Sequence, residues 1–381
     1  MDRRRFVSAG ALGAAATLAG CGPGPGNGRR DTGAEGGGAP GVITRPRVRW
    51  RLASSFPRST KILYGGAELL AARVSALSEG RFEIEVFEGG ALVPALQVLD
   101  AVQGGSVQIG HTAGYYYLGK NPALAFETAV PFGMQARQHD AWLREGGGLE
   151  LTRRTLADFG VLNFLGGNTG TQMGGWFRQP VRSLADLRSL TMRIPGLGAR
   201  VMEQMGVIAQ TIPGGEIYGA LERGAIDATE WVGPYDDEAM GLYQVAKTYH
   251  YPGWWEPQAS LAFYANQTAY ERLPTTYQEI LASACNEVNA RMVSEYDAQN
   301  PAALTRLIAE GVEPVPFPDD VMAAAARASR DLLESTAAGA DGHYRDLLKS
   351  YRAFKESSDR WFSTAEQAMS AFASRGVARS A

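Results

Sequence analysis

The chain has 381 residues, of which 45% are hydrophobic and 20% charged, and this composition is typical of a globular protein with a large core. Residues 1–46 carry six basic and three acidic residues, so the remainder has a net charge of −6, and no basic cluster with interleaved aromatic residues indicates nucleic-acid binding. No stretch reaches the roughly 18 consecutive apolar residues of a membrane-spanning helix.

The first 21 residues have the organisation of an export signal. Three arginines at 3–5 precede an apolar run at 6–18, and arginines followed by Phe6 resemble a twin-arginine (Tat) signal. The ending 18–21 resembles a lipoprotein box, in which cleavage before Cys21 is followed by lipidation of its thiol. We therefore expect a periplasmic protein, exported by the Tat route and lipid-anchored at Cys21. The alternative is an ordinary signal peptide with an incidental cysteine.

Residues 22–46 are rich in Gly and Pro and predict a flexible tether. The only other cysteine, Cys285, lies in a helical pattern, and we expect it to be buried and unpaired.

Predicted strands and helices alternate in the first part of the body. Strands are predicted at 48–53, 81–87 and 107–110, with helices at 60–77 and 93–104 between them. This order predicts a mostly parallel sheet with helices on its faces. Tyr115, Tyr116 and Tyr117 follow the third strand, where aromatic side chains can line a pocket, although at least one of the three is expected in the core.

A second α/β pattern begins near residue 161 and is followed by a helical region. Its predicted elements are strands at 161–166, 176–177, 190–194, 207–211, 225–232 and 259–266, helices at 198–205 and 216–223, and later helices at 274–296, 319–336 and 343–372. The helix that begins at 274 is expected to be interrupted at Asn300 and Pro301.

Three polar residues of the second pattern are candidates for one site. Glu230 lies at the carboxyl end of a predicted strand, which is where ligands bind in open α/β sheets, and Trp231 follows it. Arg193 lies near another strand end and offers a planar fork for a carboxylate, and Gln172 lies in a Gly-rich passage. The structural alternatives are a solvated Glu230 beside a core Trp231, and an Arg193 ion pair with Asp227 or Glu230.

The charges of these candidates predict a bound cation. Two carboxylates 4 Å apart repel by about 4 kcal/mol at an effective dielectric of 20, so either a positive ion lies between Glu230 and a bound acid or Glu230 is protonated. Glu230, the amide oxygen of Gln172 and a backbone carbonyl are hard oxygen ligands suited to Na⁺ or Ca²⁺. A 2-oxo or 2-hydroxy acid would complete this shell with two of its own oxygens.

Several motifs resemble one family. They are GNTGTQMGGWF at 167–177, MRI at 192–194, IYGALERG at 217–224, IDATEWVGPYDD at 226–237 and YPGWW at 251–255, with SEGR at 78–81 and NP at 121–122. These runs resemble the TRAP-transporter solute-binding proteins (DctP family), and within them the TakP-like branch that binds 2-oxo acids. The Gln, Arg and Glu-Trp positions occur in the same order, 21 and then 37 residues apart.

The resemblance implies a two-lobed α/β fold of the periplasmic binding-protein type (type II-like), with long helices bridging the lobes and a C-terminal helical tail. The expected organisation is a signal at 1–21, a tether at 22–46, lobe I at 47–170 and 259–298, lobe II at 171–258 and 299–355, and a C-terminal helix at 356–381 that pairs two copies.

The resemblance also implies roles for single residues. Arg193 is expected to pair with the substrate carboxylate. Gln172, Glu230 and the carbonyl of Trp231 are expected to hold a cation that also touches the substrate. Asn168 and Tyr117 are lesser candidates for polar contacts with the substrate, and Phe56 is a lesser candidate for the apolar wall.

The expected function is that of a non-catalytic receptor. It would bind a small 2-oxo or 2-hydroxy monocarboxylate such as pyruvate, 2-oxobutyrate or lactate together with Na⁺ or Ca²⁺, and deliver it to a membrane TRAP transporter as a homodimer. Three alternatives stay open: a receptor for an aromatic or branched carboxylate, an exported enzyme that uses Glu230 as a general base, and a lipoprotein scaffold with a protein partner.

Overall fold

The computed structural model describes residues 46–377. The predicted export signal, Cys21 and nearly all of the predicted tether lie outside the described residues. Within the described part, no helix is both long and apolar enough to cross a membrane.

The described chain forms eleven strands and thirteen α-helices. The strands are β1 (Val48–Ser54), β2 (Phe82–Phe87), β3 (Ile109–Thr112), β4 (Val161–Asn168), β5 (Trp176–Phe177), β6 (Thr191–Arg193), β7 (Ile208–Gln210), β8 (Ala228–Thr229), β9 (Thr248–Tyr251), β10 (Ser260–Asn266) and β11 (Glu313–Pro316). The helices are α1 (Lys61–Leu77), α2 (Val98–Gln103), α3 (Ala125–Thr128), α4 (Ala136–Glu145), α5 (Gly148–Ala157), α6 (Gly196–Gln204), α7 (Ile217–Glu222), α8 (Pro234–Ala239), α9 (Gln267–Glu271), α10 (Thr275–Ala309), α11 (Asp319–Gly339), α12 (Gly342–Phe362) and α13 (Ala368–Val377), with a π-helical turn, Ser363–Gln367, between the last two.

The strands form two sheets, one in each lobe of a two-lobed α/β fold. The first sheet has the order β2-β1-β3-β10-β4, and the second has the order β11-β9-β5-β8-β6-β7. The predicted α/β class with two lobes and a C-terminal helical tail is therefore confirmed.

Both sheets are mixed, so the prediction of a mostly parallel first sheet is only partly right. Strand β1 pairs in parallel with β2 and β3, but β10 runs antiparallel to both β3 and β4. The first residue of β10, Ser260, pairs with the last residue of β4, Asn168. The chain leaves the first sheet after β4 and returns to it at the same end, so the returning strand must run in the opposite direction.

Helix α10 bridges the two lobes. It packs against α1 and β4 of the first lobe and against α8 of the second. The helix continues through Pro301, where the sequence predicted an interruption. A proline removes one hydrogen bond from a helix. Pro301 and Asp297, whose carbonyl loses its donor, are both exposed, so water can bind this carbonyl.

Helix α12 packs on the first lobe, whereas the sequence assigned residues 299–355 to the second. Tyr344, Leu347 and Tyr351 are buried in one apolar cluster with Phe126 and Trp142, which belong to α3 and α4. Burying an aromatic or aliphatic side chain contributes about 1.5–3 kcal/mol, which explains why this helix returns to the first lobe.

Candidate functional site

Strand pairing brings Arg193 and Glu230 together. Arg193 is the last residue of β6 and pairs in parallel with Thr229, the last residue of β8, so Glu230 directly follows that strand end. The amide of Glu230 donates to the carbonyl of Arg193 at 3.2 Å. The predicted position of Glu230 at the carboxyl end of a strand is what the structure has. Gly175 makes room for this arrangement, because a Cβ there would lie 2.4 Å from the carbonyl oxygen of Thr229.

Arg193 is fully buried and is held from several sides. Its Nη1 donates to Oε1 of Glu230, its Nε donates to the carbonyl of Ile212 at 3.1 Å, and its guanidinium carbon lies 5.1 Å from the ring centroid of Trp231. Burial lowers the pKa of Arg193, but Glu230 and Tyr116 more than offset this, and the net pKa is raised. The arginine therefore stays charged, and its Nη2 has no hydrogen-bond partner among residues 46–377.

Gln172 reaches the same place through backbone pairing with the loop before β10. The backbone N–H of Gln172 donates to the backbone carbonyl of Glu256 at 3.2 Å, and the backbone carbonyl of Gln172 accepts from the backbone N–H of Gly253 at 3.0 Å. Gly253 is required by this approach, because a Cβ there would lie 2.7 Å from the Gln172 carbonyl oxygen. The side-chain oxygen of Gln172 is buried and lacks a hydrogen-bond partner within the described chain.

Glu256 is a second buried carboxylate at the site, and no motif in the sequence indicated it. Burial raises the pKa of Glu256 well above its usual value, and repulsion from Glu230 raises it further, while Arg193 lowers it. Burial also raises the pKa of Glu230 to about 7 against the opposing effect of Arg193. One oxygen of each acid, Oε2 in both, is buried and has no hydrogen-bond partner in the described part of the chain.

A nearly closed cleft lies beside these charges, with about 10 Å³ of accessible volume, which is room for about one water molecule. Its lining residues come from both lobes and are mostly apolar or aromatic: Phe56, Leu63, Tyr115, Tyr116, Thr169, Gln172, Arg193, Trp231, Val232, Ala259 and Leu261. Phe56 thus lies in the cleft wall, as the family resemblance implied. One charged end and an apolar remainder suit a small acid with a short organic tail.

Two of the predicted site residues lie elsewhere. Tyr117 is buried behind the cleft, where its hydroxyl bonds the Thr112 hydroxyl at 2.7 Å and accepts from the Leu99 amide at 3.2 Å. Asn168 donates to Gln258 at 2.6 Å and accepts from the Gly170 amide at 2.9 Å, so its polar atoms are used within the protein.

The local helical geometry explains why Tyr115 and Tyr116, and not Tyr117, line the cleft. Residues Gly114–Tyr117 form a 3₁₀ turn, in which successive side chains point about 120° apart. Tyr115 and Tyr116 consequently face the cleft, while Tyr117 faces the core behind it.

The donor atoms at the cleft fit a hard cation. Gln172 lines the cleft, the carboxylates of Glu230 and Glu256 lie near enough to repel each other, and Arg193 compensates only one of these two negative charges. Such oxygen sets suit Na⁺ or Ca²⁺. No group of three or more His, Cys, Asp or Glu side chains among residues 46–377 could hold a metal, so a cation here must also take amide or backbone oxygens.

A two-lobed α/β fold with a buried, charged cleft lined from both lobes is the architecture of a solute receptor. The model of the bacterial extracellular solute-binding protein family 7 (DctP) matches residues 53–339. The chain belongs to this family, as the resemblance of its motifs implied.

Proteins of known structure and curated proteins resemble it over most of its length. It is 50% identical over 329 residues to the monocarboxylate 2-oxoacid-binding periplasmic protein of Nostoc sp., a match that covers 86% of this chain and 90% of that protein. A TRAP transporter solute-binding protein from Bordetella bronchiseptica is 44% identical with a TM-score of 0.86 over 88% of this chain and all of that one, and its structure is a mixed-occupancy dimer with calcium and picolinate. A TRAP solute-binding protein from Pseudoalteromonas atlantica with bound sodium and pyruvate is 40% identical with a TM-score of 0.82, over 85% of this chain and 98% of that one.

Proposed function

We propose that this protein is the extracytoplasmic receptor of a TRAP transporter and binds a small 2-oxo or 2-hydroxy monocarboxylate, such as pyruvate, 2-oxobutyrate or lactate, together with Na⁺ or Ca²⁺. Arg193 pairs with the substrate carboxylate. Glu230, Glu256, Gln172 and the carbonyl of Trp231 hold the cation, which also contacts the substrate. The lobes close on the ligand, and the membrane transporter recognises the closed form.

One observation carries the proposal. Buried polar atoms are normally hydrogen-bonded, yet Oε1 of Gln172, Oε2 of Glu230, Oε2 of Glu256 and Nη2 of Arg193 all lack hydrogen-bond partners in the described protein, and Gln172 and Arg193 line one small cleft. Three acceptors and one charged donor are complementary to a cation with an attached carboxylate. The pyruvate with sodium in the Pseudoalteromonas protein supports this choice of ligands.

The test is calorimetric titration of pyruvate in the presence of Ca²⁺. We expect Arg193→Met to abolish binding, because the buried guanidinium is the only positive side chain lining the cleft among the described residues. Arg200→Met, which removes a largely exposed arginine of α6, is the matched control and should bind as the parent does. Affinity of Arg193→Met within threefold of the parent would refute the role of Arg193.

An aromatic carboxylate is a second candidate ligand, because the Bordetella bronchiseptica protein holds picolinate with calcium. Phe56, Leu63 and Trp231 give the cleft an apolar wall that could accept a ring. Competition of picolinate against pyruvate distinguishes the two: a picolinate affinity more than tenfold above that of every short 2-oxo acid would make the aromatic acid the ligand.

We infer that the protein does not transform its ligand. The family consists of solute-binding receptors. The acids at the cleft serve as cation ligands in this proposal, which leaves no role for Glu230 as a general base. Prolonged incubation with pyruvate should return pyruvate alone, and any turnover would favour the enzyme interpretation.

We also propose that the C-terminal helices pair two copies of the chain. Trp361, Met369 and Phe372 are 63%, 67% and 76% exposed on this tail, and such an apolar face is stabilised by burial against a partner. Light scattering should give a dimer for the parent and a monomer for Trp361→Ser with Phe372→Ser. A monomeric parent would contradict this proposal.

Export by the Tat route and lipidation of Cys21 complete the proposal, in line with the periplasmic location of the Nostoc relative. Their support is the sequence of residues 3–21. Mass spectrometry of the mature protein should find an acylated Cys21 as the first residue, and an unmodified peptide that spans residue 21 would contradict the anchor.

A further inference from the structure

The hydroxyl of Thr169 lies at the centre of three hydrogen bonds directly behind Gln172. Its Oγ1 lies 2.9 Å from the carbonyl oxygen of Gly170, 3.0 Å from the amide nitrogen of Ala259 and 3.2 Å from Nε2 of Gln172. Thr169 is buried, so water does not compete for these positions. Thr169 was not among the site residues indicated by the sequence.

The chemistry of a hydroxyl group fixes the direction of each bond. A hydroxyl has one proton to donate and two lone pairs to accept with. The carbonyl of Gly170 can only accept, so it takes the proton, and the amide of Ala259 can only donate, so it takes one lone pair. The remaining lone pair can serve only a donor. The side chain of Gln172 must therefore turn its nitrogen to Thr169 and its oxygen away.

This orientation matters because the two ends of a glutamine amide have nearly the same shape. Packing alone does not distinguish them, whereas a cation requires the oxygen and is repelled by the NH₂ group. In the structure the Oε1 of Gln172 is the buried atom left without a hydrogen-bond partner in the described chain.

We infer that Thr169 is a positioning residue of the cation site, which sets the oxygen of Gln172 towards the ion without touching the ion itself. The inference rests on the proposed function, since it needs a cation at the cleft. It adds a determinant of cation affinity that lies outside the set of ligating residues. Without the hydroxyl, the amide loses the group that favours one orientation over the other.

The experiment measures Ca²⁺ affinity by calorimetry at saturating pyruvate in the full chain. Thr169→Val keeps the shape and removes the hydroxyl, and we expect Ca²⁺ to bind at least tenfold more weakly. Thr169→Ser keeps the hydroxyl and should remain within twofold of the parent. Thr169→Ala removes the same hydroxyl with less crowding and should behave as Thr169→Val does, so that a folding defect of one variant does not decide the outcome.

A double-mutant cycle separates positioning from a general structural role. Gln172→Ala leaves no side-chain amide for Thr169 to orient, so in that background Thr169→Val should change Ca²⁺ affinity less than twofold. An equal loss in both backgrounds, or parental affinity of Thr169→Val itself, would overturn the inference. Absence of any cation-dependent pyruvate binding in the parent would instead overturn the proposed function.

Discussion

Replacing Glu256 by glutamine should shift the ion preference of the cleft from Ca²⁺ towards Na⁺. Glu230 and Glu256 bring two negative charges when ionised, and Arg193 compensates one of them. A monocarboxylate raises the uncompensated charge to two. Ca²⁺ neutralises this charge, whereas Na⁺ leaves one negative charge in a buried site. With glutamine at position 256, the balance is reversed and Na⁺ becomes the neutralising ion.

The size of the shift follows from Coulomb's law. One charge about 4 Å from a monovalent cation is worth about 4 kcal/mol at an effective dielectric of 20, and twice that for a divalent cation. Glu256→Gln therefore costs Ca²⁺ about 4 kcal/mol more binding free energy than it costs Na⁺, which corresponds to about 10³-fold in relative affinity. The raised pKa of Glu256 reduces this value, because the parent must release a proton before the acid can bind the ion.

The assay is calorimetry at pH 8.5 with saturating pyruvate, in which Ca²⁺ and Na⁺ are titrated separately. We expect the ratio of Ca²⁺ to Na⁺ affinity to fall by about 10²- to 10³-fold in Glu256→Gln. Glu222→Gln changes an exposed glutamate of α7 in the same way and serves as the matched control. A ratio within fivefold of the parent would refute the assignment of Glu256 to the cation.

Three further predictions concern stability and protons. Burial raises the pKa of Glu127 from 4.5 to about 7, so the folded protein loses stability as the pH rises through this range. In urea denaturation, the unfolding free energy of Glu127→Gln should therefore rise relative to that of the parent by up to about 3 kcal/mol between pH 5 and pH 8. A difference that stays constant with pH would contradict this. Because the pKa values of Glu230 and Glu256 are also raised, Ca²⁺ binding at pH 7 should release at least about half a proton. The release is measured as a dependence of the calorimetric heat on the ionisation enthalpy of the buffer. Heats that do not depend on the buffer would contradict the assignment of these acids as ligands. Gly253→Ala should lower the unfolding free energy by about 1–3 kcal/mol, because its Cβ would lie 2.7 Å from the Gln172 carbonyl oxygen. At the control position Gly215 a Cβ meets no atom within 4 Å, so Gly215→Ala should lower it by less than about 0.5 kcal/mol. Equal losses would show that the loop at Gly253 accommodates a side chain.

The sequence was sufficient for the part of the site that depends on strand ends. Arg193 ends β6 and Glu230 directly follows β8, its neighbour in the sheet, and residues at strand ends are placed by backbone hydrogen bonds that sequence periodicity can predict. Their mutual contact was one of the structural alternatives considered, and in the structure the two side chains do form an ion pair. Ion pairing and ligand binding are compatible here, because each partner keeps one polar atom without a bond in the described chain.

Glu256 was beyond this reasoning, because it lies in the loop between β9 and β10, far along the chain from Gln172, which it contacts through the backbone. No local pattern distinguishes a buried loop glutamate from an exposed one. The run of Gly253, Trp254 and Trp255 before it was the available signal, since small and aromatic residues in a loop indicate close packing.

The predictions for the tyrosines and for helix α10 differ from the structure for another reason. Tyr117 was chosen over Tyr115 and Tyr116 by family resemblance, while the direction of each ring depends on a 3₁₀ turn that apolar spacing does not reveal. The break predicted at Pro301 assumed that the lost hydrogen bond was costly. Exposure of that turn to solvent makes the cost small enough for tertiary contacts of α10 with both lobes to keep the helix continuous.

The most direct test of the cation-bridged cleft is the affinity for pyruvate as a function of free Ca²⁺, measured by calorimetry from chelator to millimolar Ca²⁺ at low Na⁺. If the ion bridges Glu230, Glu256 and the substrate, pyruvate affinity must rise with Ca²⁺, and Ca²⁺ affinity must rise by the same factor with pyruvate, because the coupling is reciprocal. Pyruvate affinity that is unchanged between chelator and saturating Ca²⁺, and equally unaffected by Na⁺, would contradict the account.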